Sequence, residues 1–148
     1  MALFVPALAL GGALGSQYWG GLYPCEMCHW QRWPHYDALA MTVLAFLTGT
    51  GRFTRPLVLL AGLAIFVSGA IGLFHAGVEY HWWEGFTTCT TLARGGPSTD
   101  VLAQILAAPL VRCDQAQWTL FGISLAGFNA LLSIPAAIAI WVLCLKSR

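Results

Sequence analysis

The chain has 148 residues, enough for one domain, and its composition is 58% hydrophobic and only 9% charged. Ordinary soluble domains carry about 25% charged residues, so most of this surface must face lipid rather than water. The net charge of +1, with no basic cluster and no phosphate-binding glycine loop, argues against nucleic acid as a partner.

Four apolar segments approach the roughly 20 residues that an α-helix needs to cross a bilayer. We therefore predict an all-α membrane protein in which one domain, residues 1–148, forms a four-transmembrane-helix bundle. The four helices are predicted at about 2–22, 33–51, 56–78 and 119–145. A cleaved signal peptide is the competing interpretation of the first segment, although that segment lacks a basic start.

Basic residues at the ends of the segments predict the orientation. Arg52 and Arg55 join the second and third segments, and Lys146 follows the fourth. Because cytoplasmic connections are enriched in lysine and arginine, both termini are expected in the cytoplasm. The loops at about 23–32 and 79–118 then lie on the outer side, together with most of the tryptophans.

The longer outer loop contains a second, weaker helical pattern. Ser98-Thr99-Asp100 is typical of a helix start, the apolar residues from Val101 to Leu106 recur on one face, and Pro109 ends the run. This pattern predicts a short amphipathic helix lying on the membrane surface. An ordinary loop turn packed against the bundle is the alternative.

The five cysteines divide between the two sides of the membrane. Cys25, Cys28, Cys89 and Cys113 fall on the outer side, whereas Cys144 lies alone near the cytoplasmic end of the fourth segment. An even number outside is what an oxidising compartment permits. For Cys144 we expect only the role of a small buried apolar residue.

Cys25 and Cys28 lie where the second helix should begin, and a helix N-terminus stabilises a thiolate. Arg32 follows Cys28 by four residues, so it lies on the same helical face about one turn deeper. Beside a Cys-x-x-Cys pair, we interpret Arg32 as a cation that stabilises a thiolate or donates a hydrogen bond to an acceptor oxygen. An interfacial arginine that reaches toward lipid headgroups is the alternative.

Two further features lie near the same depth. Cys89 and Cys113 in the long loop are easily joined as a structural disulfide, but a disulfide there could also exchange with the Cys25 and Cys28 pair. His75 lies at the outer end of the third segment. Ionisable residues in membrane segments are usually functional, although a histidine bonded to a neighbouring carbonyl is the alternative.

Three functions are compatible with a Cys-x-x-Cys pair in this setting. The first is a thiol–disulfide oxidoreductase that passes electrons to a membrane-soluble acceptor, and it uses all four outer cysteines. The second is a membrane-anchored c-type cytochrome with haem on Cys25-x-x-Cys28-His29, which would leave Cys89 and Cys113 without a role. The third is a metal carrier. We expect no metal, because no acidic or polar residues line the helix interiors at mid-membrane to conduct an ion.

These residues resemble the disulfide bond formation protein B (DsbB) family of bacterial inner membranes, over essentially the whole chain. The resemblance depends on Cys25-x-x-Cys28 with the following Gln31-Arg32, on Cys89 and Cys113 in the second outer loop, and on the Cys113-to-Trp118 segment before the last helix. The related vitamin K epoxide reductases carry their Cys-x-x-Cys near the last helix instead.

The resemblance implies an enzyme that reoxidises a periplasmic, thioredoxin-like DsbA-type protein and reduces ubiquinone or menaquinone. By the same resemblance, the partner's thiolate attacks Cys89 of a Cys89–Cys113 disulfide, and Cys113 then attacks Cys25. Cys28 is left as a thiolate that faces the quinone. Arg32 is expected to bind the quinone, and His75 and Gln31 are expected near it.

Overall fold

The computed structural model describes residues 1–49, 51–85 and 111–146. This part of the chain is mostly helical. Its helices are α1 (Phe4–Tyr18), α2 (Glu26–Leu47), α3 (Thr54–Glu79) and α4 (Leu125–Lys146), and a short antiparallel hairpin consists of β1 (Thr119–Leu120) and β2 (Ile123–Ser124).

Helix α3 lies at the centre of the bundle and packs along both α2 and α4, while α1 packs mainly on α2. The core between these helices is built from small and branched side chains. Its fully buried members are Ala38, Ala61, Ile65, Ala137 and Ile140. Small residues let helix backbones approach closely, which is the main source of helix association in lipid.

Two glycines of α3 show how close that approach is. A Cβ added at Gly69 would lie 2.8 Å from a side-chain carbon of Ile134 on α4. At Gly72 it would lie 2.9 Å from the Ala126 carbonyl oxygen and 3.1 Å from Oε1 of Gln31. Any larger side chain at Gly72 would therefore push apart α2, α3 and α4 where their polar side chains meet.

Helix α2 begins earlier than predicted, at Glu26 instead of about residue 33. The prediction followed the apolar run that starts at Trp33, but Cys25 caps the helix with extended backbone angles and accepts a hydrogen bond from the Cys28 backbone N–H. The first two turns include polar residues, of which Gln31 and Arg32 are buried inside the bundle.

Helix α4 begins later than predicted, at Leu125 instead of about residue 119. The preceding residues form the hairpin, whose turn residues Phe121 and Gly122 both have positive φ angles, of 52° and 77°. Such a turn matches the right-handed twist of paired strands. Tyr80 anchors the hairpin to the end of α3, because its hydroxyl donates to the Gly122 carbonyl at 2.8 Å. The other two helices differ less: α1 spans 4–18 and α3 spans 54–79.

Two of the described helices, α3 and α4, are long and apolar enough to cross a membrane. Helix α1 has only 15 residues, and α2 carries Glu26, Arg32 and Asp37 within its 22 residues. Large apolar side chains on α3 and α4, such as Leu63 and Leu131, are exposed on the outside of the bundle. The amphipathic helix predicted near residue 100, and Cys89, lie outside the described residues.

Candidate active site

The sulfur atoms of Cys25 and Cys28 lie side by side at the first turn of α2. They are 2.8 Å apart, so small side-chain rotations would close a disulfide of about 2.05 Å. Cys25 is buried and Cys28 is half-buried. The neighbouring His29 is exposed.

Cys113 approaches the same sulfurs from the end of the long loop. It is 1% exposed and packs in one cluster with Cys25, Met27 and Val78. The structure therefore brings three of the four predicted redox cysteines together, and the fourth, Cys89, falls outside the described residues. Cys144 lies at the other end of the bundle. It is half-buried against the Arg55 carbonyl, not fully buried as expected.

His75 lies beside the cysteines, and Gln31 decides how it is oriented. The Gln31 carboxamide nitrogen donates to His75 Nδ1 at 2.8 Å and to the Met27 carbonyl at 3.2 Å. A carbonyl can only accept, so the Met27 contact fixes the orientation of the amide. His75 Nδ1 must then be an acceptor, and the ring proton lies on Nε2, 3.5 Å from the Cys25 sulfur.

The position of this proton argues against the metal-carrier alternative. Cys25, Cys28 and His75 present ligand atoms within 4.8 Å of one another, a spacing that also suits a metal. A histidine ligand needs an unprotonated nitrogen, however, and the Gln31 contact places the proton on the nitrogen that faces the sulfurs. The cluster is therefore arranged to donate a hydrogen bond to sulfur.

Glu79 and Arg112 add charge on the outer side of the cysteines. The Glu79 carboxylate is 3.7 Å from His75 Nε2 and its side chain is 7% exposed. Arg112 pairs with Asp114 at the surface and holds the pKa of that carboxyl below its usual range. Glu79 and Arg112 line a recess of about 60 Å³ together with Cys25, Cys28 and His75.

Arg32 extends from α2 toward α1, and the residue is only 9% exposed. It donates to the Gln17 side-chain oxygen at 2.6 Å and to the Ala13 carbonyl at 3.1 Å. Its Nε atom is buried and has no hydrogen-bond partner among the described residues. Gln17 and Ala13 hold the guanidinium inside the bundle, which is not the arrangement of an arginine reaching for headgroups.

A second, larger cavity of about 200 Å³ lies beside Arg32, and we call it the membrane-side cavity because its walls are apolar. Its walls come from α1, α2 and α4 and are mostly apolar, with Leu8 and Leu132 at an exposed rim. Cys28 and Arg32 line both this cavity and the outer recess, whereas Cys25 lines only the recess. Cys28 is thus the sulfur that borders both compartments.

The proton shared by the two sulfurs belongs to Cys25. The pKa of its thiol is raised well above the usual range, because the hydrogen bond with the Cys28 sulfur retains the proton and burial disfavours the thiolate. When the pair loses one proton, the negative charge therefore falls on Cys28. That sulfur is the one nearer the Arg32 turn and the membrane-side cavity.

A buried polar network, which the sequence interpretation missed, lies beneath the cysteines. Asn129 of α4 donates to Gln31 Oε1 at 2.9 Å and to the Ser68 carbonyl at 3.1 Å. Its own oxygen faces His35 Nε2 at 3.0 Å and accepts from Ser133 at 2.9 Å. The interior of the bundle therefore holds several polar side chains between α2, α3 and α4. Asn129, the one amide in an uncharged segment, was the available signal.

A buried, closely spaced pair of cysteines at the start of a helix, with a buried arginine one turn away, defines a thiol–disulfide oxidoreductase. The apolar exterior places this site at a membrane. The family model described as "Disulfide bond formation protein DsbB" matches residues 1–144. The chain belongs to the DsbB family, and it is a disulfide oxidoreductase of the bacterial inner membrane.

Individual relatives agree with this assignment. The chain is 32% identical over 155 aligned positions to disulfide bond formation protein B of Chromohalobacter salexigens, covering 91% of this chain and 84% of the relative. It is 27% identical to the protein of the same name from Marinobacter nauticus, covering 88% and 80%. An uncharacterised protein of Rickettsia prowazekii is 24% identical, with 88% and 76% covered. No solved structure matches the chain significantly.

Proposed function

We propose that this enzyme oxidises a periplasmic DsbA-type dithiol protein and passes the two electrons to ubiquinone or menaquinone. The observation that carries the proposal is the position of Cys28, which borders both the outer recess and the membrane-side cavity. A thiol relay that ends in a lipid-soluble acceptor needs one sulfur with access to both sides.

The cavity fits the ring of a quinone. It is apolar and opens between exposed leucines, and quinone rings are flat and apolar with carbonyl oxygens that only accept hydrogen bonds. Arg32 lines the cavity, and its buried Nε is a donor without a partner among the described residues. Leaving a buried donor unpaired costs about 1–3 kcal/mol, so a ligand that supplies an acceptor would be favoured.

The proposed steps conserve electrons and protons. The partner's thiolate attacks Cys89 of a Cys89–Cys113 disulfide, and the released Cys113 attacks Cys25 of a Cys25–Cys28 disulfide. Cys28 then leaves as a thiolate. Resolution of the mixed disulfides yields the oxidised partner, and re-formation of the Cys25–Cys28 bond sends two electrons to the quinone. The two thiol protons of the partner balance the two protons taken up by the quinone.

The choice of a quinone follows from redox potentials. DsbA-type oxidases are strong oxidants, with reduction potentials of about −120 mV, so their reoxidation requires an acceptor at a still more positive potential. A quinone dissolved in the lipid meets this requirement and reaches the cavity from the membrane.

We also propose that all four described helices cross the membrane, with both termini in the cytoplasm. The redox cysteines and Trp82, Trp83 and Trp118 lie at one end of the bundle, and Arg55 and Cys144 meet at the other. Arginine and lysine are enriched in cytoplasmic connections, which supports this orientation.

The test is a quinone-reduction assay on the purified full-length protein, with a reduced DsbA-type protein as donor. We expect activity in the wild type and none in Cys25→Ser or Cys28→Ser. The matched control is Cys144→Ser, which removes a cysteine at the opposite end and should remain active. Full activity in either of the first two variants would refute the relay.

A further inference from the structure

A second residue that lines the proposed acceptor cavity, His35, also has a buried polar atom without a partner among the described residues. This side chain is 3% exposed and lines the same cavity as Arg32. Its Nε2 faces the Asn129 side-chain oxygen at 3.0 Å. Its Nδ1 is buried and has no hydrogen-bond partner among the described residues.

The network around Asn129 determines the chemical character of that free nitrogen. Asn129 Nδ2 donates to the Ser68 carbonyl, which can only accept, so the orientation of the Asn129 amide is fixed. His35 must therefore donate from Nε2 to the Asn129 oxygen. In the neutral imidazole, Nδ1 is then a bare acceptor.

The two buried nitrogens without partners have complementary hydrogen-bonding roles. Arg32 Nε is a donor and His35 Nδ1 is an acceptor. The two residues are three apart on α2, so they lie on one face with Cβ atoms about 5–6 Å apart. An oxidised quinone offers oxygen acceptors only, and these can satisfy Arg32 but not His35. A quinol carries O–H groups and can satisfy both.

We infer that His35 binds a hydroxyl group of the reduced acceptor, so that the cavity holds the quinol more tightly than the quinone. This inference rests on the proposed function, since it assigns a role within the proposed acceptor site. Preferential binding of the product form favours the transfer of electrons from the cysteines to the bound quinone. The corresponding disadvantage is slower release of the quinol.

The experiment measures equilibrium binding without a partner protein and without turnover. Purified full-length protein is titrated with a short-chain ubiquinone, with its quinol, and with the quinol dimethyl ether, and binding is followed by tryptophan fluorescence quenching. In the wild type we expect the quinol to bind about tenfold more tightly than the ether, the effect of one buried hydrogen bond.

The variant His35→Leu should weaken quinol binding about tenfold and change the Kd of the quinone and of the ether by less than about threefold. Unchanged quinone binding in the same sample shows that the cavity is intact. His35→Gln retains one donor and one acceptor and should recover most of the quinol affinity. His29→Leu removes an exposed histidine of the same helix and serves as the matched control.

The outcomes separate this inference from the proposed function. The first case is that the wild type binds both quinone and quinol while His35→Leu lowers the two affinities equally or leaves both unchanged. Either result would refute the role of His35 and leave the proposed acceptor site intact. Equal wild-type affinity for the quinol and its ether would refute it as well. If the wild type binds none of these ligands, the assignment of the cavity as the acceptor site is refuted, and so is the role of His35.

Discussion

The carboxamide nitrogen of Gln31 donates to Nδ1 of His75 across 2.8 Å, and this contact makes Nε2 the nitrogen that faces Cys25. Gln31 is held in turn by Asn129, which donates to its oxygen at 2.9 Å. The hydrogen-bonding state of the histidine beside the cysteines is thus determined by residues on two other helices, α2 and α4.

The first prediction concerns this contact. Gln31→Met keeps the size of the side chain but removes the donor, so His75 can adopt the other tautomer and lose its hydrogen bond to sulfur. We expect kcat for quinone reduction to fall about tenfold, as for one buried hydrogen bond. Thr42→Val, which removes a partly buried hydrogen bond far from the cysteines, should keep wild-type kcat. Equal losses in both variants would contradict a specific role.

The second prediction concerns the acceptor end of the site. Arg32→Ala removes the buried donor, and we expect the KM for quinone to rise about tenfold or more, since hydrogen bonds to charged groups contribute about 1.5–3 kcal/mol. Gln17→Ala frees the guanidinium from α1 and should raise KM by a smaller factor. Arg52→Ala at the other end of the bundle is the control. A KM that does not change in Arg32→Ala would assign the arginine a purely structural role.

The third prediction concerns the order of thiol exchange. In Cys113→Ser, the partner can still attack Cys89, but the thiol that would resolve the product is missing. We expect a covalent partner adduct, which is visible on non-reducing electrophoresis and removed by dithiothreitol. The double variant Cys89→Ser/Cys113→Ser should form no adduct. An adduct of equal yield in the double variant would show that the partner attacks a different cysteine.

The fourth prediction uses the raised pKa of Cys25. A raised pKa keeps the thiol protonated as the pH increases through the usual range of thiols, so Cys25 should resist alkylation while Cys28 reacts. In reduced protein treated with iodoacetamide between about pH 7 and pH 9, mass spectrometry should find the label on Cys28. Cys28→Ser weakens the hydrogen bond that holds the proton, so Cys25 should become more reactive there. Preferential labelling of Cys25 in the wild type would reverse the assignment.

The fifth prediction concerns stability. Asn129→Ala leaves Gln31, His35, Ser68 and Ser133 without their common partner. Unsatisfied buried polar groups cost about 1–3 kcal/mol each, so we expect a clear decrease in the thermal unfolding midpoint in detergent. Leu131→Ala, a neighbouring but exposed position, should change the midpoint little. Comparable midpoints for the two variants would mean that the network contributes little to stability.

The local parts of the site could be predicted from the sequence, because they depend on near neighbours in the chain. The spacing of Cys25 and Cys28 at a helix start, and of Arg32 one turn later, follows from helix geometry alone, and the structure has this arrangement. The predicted first residue of α2 was wrong because the prediction followed the apolar run, whereas the first turns of α2 contain polar residues. The predicted start of α4 was wrong because the apolar run begins with the hairpin that precedes the helix.

The sequence by itself determined that this is a largely apolar, helical membrane protein with a cysteine pair at the head of a helix. Composition and short-range spacing are enough for that, since each depends only on neighbours along the chain. The tertiary structure decided which distant groups meet: His75 with Cys25, Asn129 with Gln31, and Arg32 with Gln17. Those contacts depend on how helices pack, and the small residues that permit the packing carry no chemical signal of their own.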